Sequence, residues 1–362
     1  MPSARAWSCT PPGYGTMPNV LLKCRPTLAQ LADRLRPPRP DGIELYLDAA
    51  DLAGDEVCRE VVARVKRFQL PPGFPIVVEG PIRTLDGTFF DTTRLSPANR
   101  LLVERLTWVG EALGAEAVLV HLIAPRVDRR SFAVPASRRL AERSARFLAH
   151  YAARAIERGL QPLIENMPPI LRMREGRALA TPLGMPAEDL VAMVEAVPGL
   201  RVTLDLSHAG LYVNARRLAA RPPTASCQVG DLAPSLLAEH RMRGVSLPAF
   251  LVRFLQGLPE VDDVATFADR LTPWLYSLHV SNARGVEGEG LPYDDGELPL
   301  DDLVRRLAPH VRHLTAVEPS PAMVRHLRDA LAAAGITNVT VIEQRWEDVT
   351  VAPATVVLCA HV

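Results

Sequence analysis

Short apolar runs rich in branched side chains alternate with longer amphipathic stretches along most of this chain, and nothing else in the sequence constrains the fold as much. The strand-like runs are Asn19 to Lys23, Gly42 to Leu47, one ending at Glu79, one ending at His121, Gln161 to Asn166, Arg201 to Ser207, Leu275 to Val280, and Arg312 to Glu318. Each is short and nearly continuous in apolar residues, the pattern of a strand covered on both faces. Helical stretches separate them, and parallel strands need such crossovers to return the chain to the same edge. Eight units in about 315 residues is the number that closes a (β/α)8 barrel. The expected architecture is therefore a TIM barrel over residues 19–335 with a short C-terminal α/β appendage over 336–362. Two more strand-like runs, Val339 to Glu343 and Thr355 to Cys359, fall in that appendage, where a closed barrel has no place for them. Residues 1–18 are rich in Pro, Gly and Ser and read as a disordered arm. Met17 fits a natural start, because the first patterned strand follows it directly.

Composition excludes several function classes. Lys plus Arg equals Asp plus Glu at 41 each, so the formal net charge is zero, which argues against a large nucleic-acid surface. No run reaches the roughly 18 apolar residues of a membrane span, and the N-terminus lacks the apolar core of a signal peptide. The five cysteines are scattered without a CxxC pair, as expected of reduced thiols in a cytoplasmic protein. No membrane or nucleic-acid partner is expected, and a homo-oligomer is compatible with everything above.

The chemistry sits where the strands end. Glu165, Asp205, His279 and Glu318 close the fifth to eighth runs, and a carboxylate or imidazole there is costly to bury unless paired or metal-bound. In a barrel these are C-terminal strand ends, where active sites form. Three carboxylates and one imidazole suit Mn²⁺, Mg²⁺ or Co²⁺, and Zn²⁺ also fits. Taken singly, each residue equally fits a solvated strand end. Glu79 and His121 end the third and fourth runs, with His121 facing either substrate or metal or serving as a core histidine. His208, three residues after Asp205, fits a substrate contact, a donor to a metal ligand, or a local structural role. Arg284 is a candidate for an anionic or hydroxyl-rich substrate. Glu44, inside the second run, reads as a barrel-interior polar contact.

In order, these features resemble the sugar phosphate isomerase/epimerase superfamily, whose members share a xylose isomerase-like TIM barrel. The matching elements are Asp41 to Leu45 (DGIEL), His121, Glu165-Asn166, the Asp205 to His208 step, His279 to Asn282 (HVSN), Asp294 to Leu300 (DDGELPL) and Glu318. The family's usual first Gly of that last loop is replaced here by Asp295. The resemblance spans about residues 19 to 335 and implies metal ligands Glu165, Asp205, His279 and Glu318. It further implies that Glu165 and Glu318 are the catalytic carboxylates, moving a proton on and off carbon through a metal-stabilised enediolate of a small sugar, sugar phosphate or polyol. His121, His208, Arg284 and Glu79 would then contact the carbohydrate-like substrate.

The last 50 residues are similar to the middle of a class I S-adenosylmethionine-dependent methyltransferase, with Glu318 on the cofactor ribose and Trp346 to Asp348 near the adenine. Such a fold needs a Gly-rich turn after its first strand, and no GxGxG lies upstream of His313. The segment reads as the remnant of a fusion that does not bind the cofactor and packs outside the barrel. Two other functions stay open: a barrel that binds a ligand or partner without catalysis, and an apurinic endonuclease-like metallohydrolase. The last would need more strand-end histidines than this chain offers and a basic surface.

Overall fold

Eight parallel strands close on themselves in the computed structural model, which describes residues 19–36, 39–124, 138–172, 178–220 and 245–316. The barrel strands, numbered in chain order with the shorter strands between them, are β1 (Asn19–Cys24), β2 (Gly42–Tyr46), β3 (Ile76–Glu79), β4 (Ala117–His121), β5 (Gln161–Glu165), β8 (Arg201–Asp205), β9 (Leu275–Val280) and β12 (His313–Ala316). The ring closes where β1 pairs with β12, from Asn19 opposite His313 to Leu22 opposite Ala316. The expected barrel is therefore observed. Its expected end at residue 335, the appendage, the N-terminal arm and Glu318 lie outside the described residues.

A period of two divides most of the described barrel strands between two cores, with Tyr276 of β9 an exception beside the register shift against β8. Outward residues such as Ile43, Leu45, Val78, Val118, Val120, Ile164, Val202, Leu204 and Leu278 belong to one large apolar cluster between sheet and helices. Each fully buried branched side chain there stabilises the fold by about 1.5–3 kcal/mol. Inward residues form a second cluster, Leu21, Val77, Ala117, Leu119, Leu163 and Tyr276, which fills the barrel interior. The next inward positions toward the strand ends are Lys23, Glu44, Glu79, His121, Glu165, Asp205 and His279. One pleat thus carries apolar packing low in the barrel and every ionisable group at its top.

The connecting helices are α1 (Leu28–Arg34), α2 (Asp55–Lys66), α3 (Pro97–Leu113), α4 (Arg138–Glu157), α5 (Ala187–Ala196), α6 (Leu206–Ala219), α7 (Leu247–Phe254), α8 (Val264–Asp269) and α9 (Leu300–Leu307). Local chemistry sets their ends. Ser96 accepts a hydrogen bond from the Asn99 backbone N–H ahead of Pro97, and α3 stops at Gly114, whose φ of 67° is the left-handed conformation glycine adopts without penalty. β8 runs into α6 with no loop, because Asp205 both ends the strand and caps the helix, accepting from the His208 backbone N–H at 2.9 Å.

Two antiparallel hairpins were not legible in the sequence: β6 (Ile170–Arg172) with β7 (Ala178–Ala180), and β10 (Asn282–Arg284) with β11 (Gly288–Leu291). Their strands are three or four residues long. That is too short for a period to register. Between β8 and β9 the chain forms α6, α7 and α8, with residues 221–244 outside the described set.

Asp41 stitches the lower rim, accepting from the Val20 backbone N–H at 2.9 Å. Burial lifts its carboxyl to about 6 against the opposing pull of that hydrogen bond. Its folded value lies above its unfolded one, so the native state keeps a proton that the unfolded chain gives up between about pH 4 and pH 6. Stability therefore falls as pH rises through that window. Asp41→Asn retains an acceptor for Val20 and removes the titration. It should be more stable than the parent by about 1 kcal/mol at pH 7, discounting for the half-exposed site, and equal to it at pH 4. Urea denaturation at the two pH values measures the difference.

Candidate metal centre

Glu165 stands at the middle of the upper layer, 2% exposed, and its two oxygens face different neighbours. Oε1 lies 3.4 Å from His279 Nδ1 and 3.4 Å from His208 Nδ1. Oε2 lies 3.4 Å from His121 Nε2 and has no hydrogen-bond partner among the described residues. Asp205 Oδ2 is 3.7 Å from His279 Nδ1 and 3.9 Å from His208 Nε2. Glu165, Asp205 and His279 each offer a ligand atom, and the three atoms lie within 4.8 Å of one another. Atoms bound about 2.1 Å from one cation stand roughly 3.0–3.7 Å apart at octahedral to open tetrahedral angles. The trio expected from the sequence is thus brought together, with His279 Nδ1 at such a separation from both carboxylates.

Backbone clamps fix two of the three. Asn166, next to Glu165, donates from Nδ2 to the Asp205 carbonyl at 3.0 Å and accepts the Asp205 N–H on Oδ1 at 2.8 Å. This side chain ties the end of β5 to the end of β8, so Glu165 and Asp205 hold their separation without a metal. His279 is oriented from behind. Its Nε2 lies 2.8 Å from Glu44 Oε1, both residues being fully buried. With Nε2 against Glu44, Nδ1 faces Glu165 and Asp205; both contacts are ion-pair distances, and neither ring nitrogen has a hydrogen-bond partner of good geometry among the described residues. A carboxylate behind a histidine in this way sets the tautomer that leaves the other nitrogen for a metal.

The charges explain one another. Burial alone would lift the Glu165 carboxyl and the Glu44 carboxyl; His279 and His121 for Glu165, and His279 and Lys23 for Glu44, pull both down to about 2. Burial disfavours a charged His279, yet Glu44 and Glu165 outweigh it and hold the imidazole well above its ordinary range. His208 follows the same logic: burial opposes its charge, but Asp205, Glu289 and Glu165 push it up to about 10. Lys23 lies 2.5 Å from Glu79 Oε2 and 3.8 Å from Glu44 Oε1. Its ammonium is held protonated by Glu79, Glu44 and Glu165 against the cost of burial.

The remaining expected site residues divide. His121 and Glu79 line the same layer, Nε2 to Oε1 at 3.0 Å. His208 also belongs there, donating from Nδ1 to the Asn166 carbonyl at 2.7 Å and meeting Glu289 Oε1 with Nε2 at 3.0 Å. Arg284 does not. It pairs with Asp295 at 3.0 Å, with both side chains more than half exposed, outside the cluster. The structure therefore does not bring Arg284 together with the other expected site residues.

The HVSN and GEL segments acquire a structural reason. Asn282 donates to the Tyr293 carbonyl at 2.5 Å and accepts from the Leu298 N–H at 2.9 Å, holding the loop across the mouth. A Cβ on Gly296 would lie 2.1 Å from Asn282 Oδ1, so only glycine permits that closure. The β10–β11 hairpin then brings Glu289 over His208, while Gly290 N–H reaches Ser207 Oγ at 3.0 Å. Sequence reasoning missed Lys23 and Glu289, and it saw in Glu44 a contact without its partner. The signal for Glu44 was present: it is a carboxylate inside an otherwise apolar run.

Replacing Glu44 with Gln should leave the fold intact and weaken divalent-metal affinity by roughly 10–100-fold, because Gln does not enforce the same tautomer on His279. Calorimetric titration with Mn²⁺ measures it, and an unchanged affinity would remove Glu44 from the site.

No protein-family model and no curated protein matches the chain. Among solved structures it is similar to a D-tagatose 3-epimerase-like protein, with a TM-score of 0.56 and 14% identity over 87% of this chain and 98% of that one. Weaker likenesses are to the D-psicose 3-epimerase of Clostridium cellulolyticum H10 with D-tagatose (TM-score 0.49, 12% identity, 82% and 84% covered) and to a xylose isomerase domain protein from Planctomyces limnophilus (0.48, 11%, 89% and 97%). The first shows a shared fold; the other two, below 0.5, add no argument to it.

Proposed function

We propose that this chain is a metal-dependent isomerase or epimerase acting on a small sugar, sugar phosphate or polyol. The observation that carries this reading is the convergence of Glu165, Asp205 and His279 at ligand spacing in the mouth of a barrel. Beside them lies an unbonded Glu165 oxygen. A divalent cation held there would supply stabilisation of negative charge developing on a substrate oxygen. Glu165 is the proposed base: its carboxylate is ionised at neutral pH and faces the cavity. Glu318, two residues beyond the end of β12, is the proposed fourth ligand and second proton carrier. His208, anchored by Asn166 and Glu289, is positioned to meet a substrate hydroxyl, with His121 and Glu79 beside it.

The test is a screen of metal-stripped and Mn²⁺- or Co²⁺-loaded protein against ketoses and inosose-like polyols in deuterated water. The expected result is metal-dependent incorporation of deuterium at the carbon beside the carbonyl, with formation of an epimer or isomer. Metal-loaded protein that exchanges no carbon-bound hydrogen in any of these substrates would overturn the reading.

A further inference from the structure

We propose that the barrel mouth holds a second divalent cation, bound by Glu79, His121 and the Glu165 oxygen that faces away from His279. The three residues come from the ends of β3, β4 and β5, each is 3% exposed or less, and their ligand atoms lie within 4.8 Å of one another. His121 Nε2 is 3.0 Å from Glu79 Oε1 and 3.4 Å from Glu165 Oε2, the separations of neighbouring ligands on one ion. Two features argue that this group is more than a histidine between two carboxylates. First, Glu165 Oε2 is buried and makes no hydrogen bond among the described residues, though desolvating a carboxylate oxygen without a partner is costly. Second, Glu165 divides its oxygens, Oε1 toward His279 and His208 and Oε2 toward His121. A carboxylate placed between two histidine-bearing groups is how a bridging ligand spans two cations roughly 3.5–4 Å apart.

The layer is rich in buried carboxylates. Glu44, Glu79, Glu165 and Asp205 bring four buried carboxylates to this layer, and Lys23 pairs with Glu44 and Glu79. Lys23 takes Oε2 of Glu79 and leaves Oε1 directed at His121. One imidazole and two carboxylates suit Mn²⁺, Co²⁺ or Zn²⁺. Filling this position withdraws from proton transfer the Glu165 oxygen that the isomerase reading assigns to the base, so excess metal should inhibit such turnover. The stoichiometry itself holds whichever reaction the protein catalyses.

The experiment uses the full chain, stripped with chelator and equilibrated with Mn²⁺, and reads bound metal by elemental analysis and the electron paramagnetic resonance spectrum. The wild type is expected to hold two Mn²⁺ per chain with a spin-coupled spectrum. Glu79→Gln, His121→Ala and Asp205→Asn should each hold one, with an uncoupled spectrum. Should His121→Ala fail to fold, the isosteric Glu79→Gln decides. One ion in the wild type, lost in Asp205→Asn and kept in Glu79→Gln, would overturn the second site and leave the first intact. Two ions retained in both Glu79→Gln and His121→Ala would overturn it as well. One ion in those two variants but two in Asp205→Asn would uphold this site and defeat the trio assigned to the isomerase. A wild type that binds none would defeat both.

Discussion

Asp205→Ala should weaken divalent-metal binding at the Glu165, Asp205 and His279 position by roughly 1000-fold or more, about 4 kcal/mol of affinity, and with it any turnover that depends on that ion. The carboxylate has two tasks on separate oxygens. Oδ1 caps α6 through the His208 N–H, while Oδ2 is the atom near His279 Nδ1. Removing the cap alone costs about 1 kcal/mol of stability. Asn at the same position restores the cap and not the anionic ligand, so Asp205→Asn should melt like the parent and still bind metal poorly. Titration calorimetry and a thermal melt on both variants separate the two tasks. Two ions retained at micromolar affinity in either would take Asp205 out of the centre.

Gly42→Ala should be the most destabilising small substitution in the barrel wall, by about 3 kcal/mol or more. Gly42 faces inward on β2 opposite Leu21, and a Cβ there would stand 2.4 Å from Leu21 Cδ2 and 2.4 Å from the Pro75 carbonyl oxygen. The Leu21 methyl can swing aside; the carbonyl cannot, because it accepts the Ile43 N–H at 3.0 Å in the ladder between β2 and β3. Overpacking against fixed backbone commonly costs 1–3 kcal/mol, and here it also strains a barrel hydrogen bond. A chemical denaturation midpoint unchanged from wild type would show that the strands spread more easily than their hydrogen bonds imply.

The barrel was legible because its strands are buried on both faces and separated by helix-length stretches, so each stands out as an apolar run. The centre was legible for a related reason. Glu165, Asp205, His279 and His121 interrupt such runs at their ends, where an ionisable group is conspicuous. Lys23 was not conspicuous, since a lysine at a strand end is the usual solvated terminus. Only closure of β1 against β2 and beyond sets its ammonium beside Glu79. Glu44 was visible as an anomaly without an explanation, because its partner His279 lies 235 residues away by their numbering. Glu289 sits in a four-residue strand of a hairpin that carries no apolar period, and its contact with His208 spans 81 residues. Arg284 follows the HVSN run closely in sequence, but it belongs to β10 and pairs with Asp295 apart from the charged layer.

The apolar plug of Leu21, Val77, Leu119, Leu163 and Tyr276 gives the charged layer a floor. Beside it the buried Thr203 and Ser277 hydroxyls pair with each other at 2.8 Å, so the strand ends are the approach for ions, water and reactants. Traffic through one doorway is ordered: whatever enters last leaves first. A sugar bound above the centre would then cork the metal beneath it, and loss of metal to a chelator should slow in proportion to occupancy by substrate. An enzyme built as a blind shaft would be most vulnerable to chelation while idle and most protected while working.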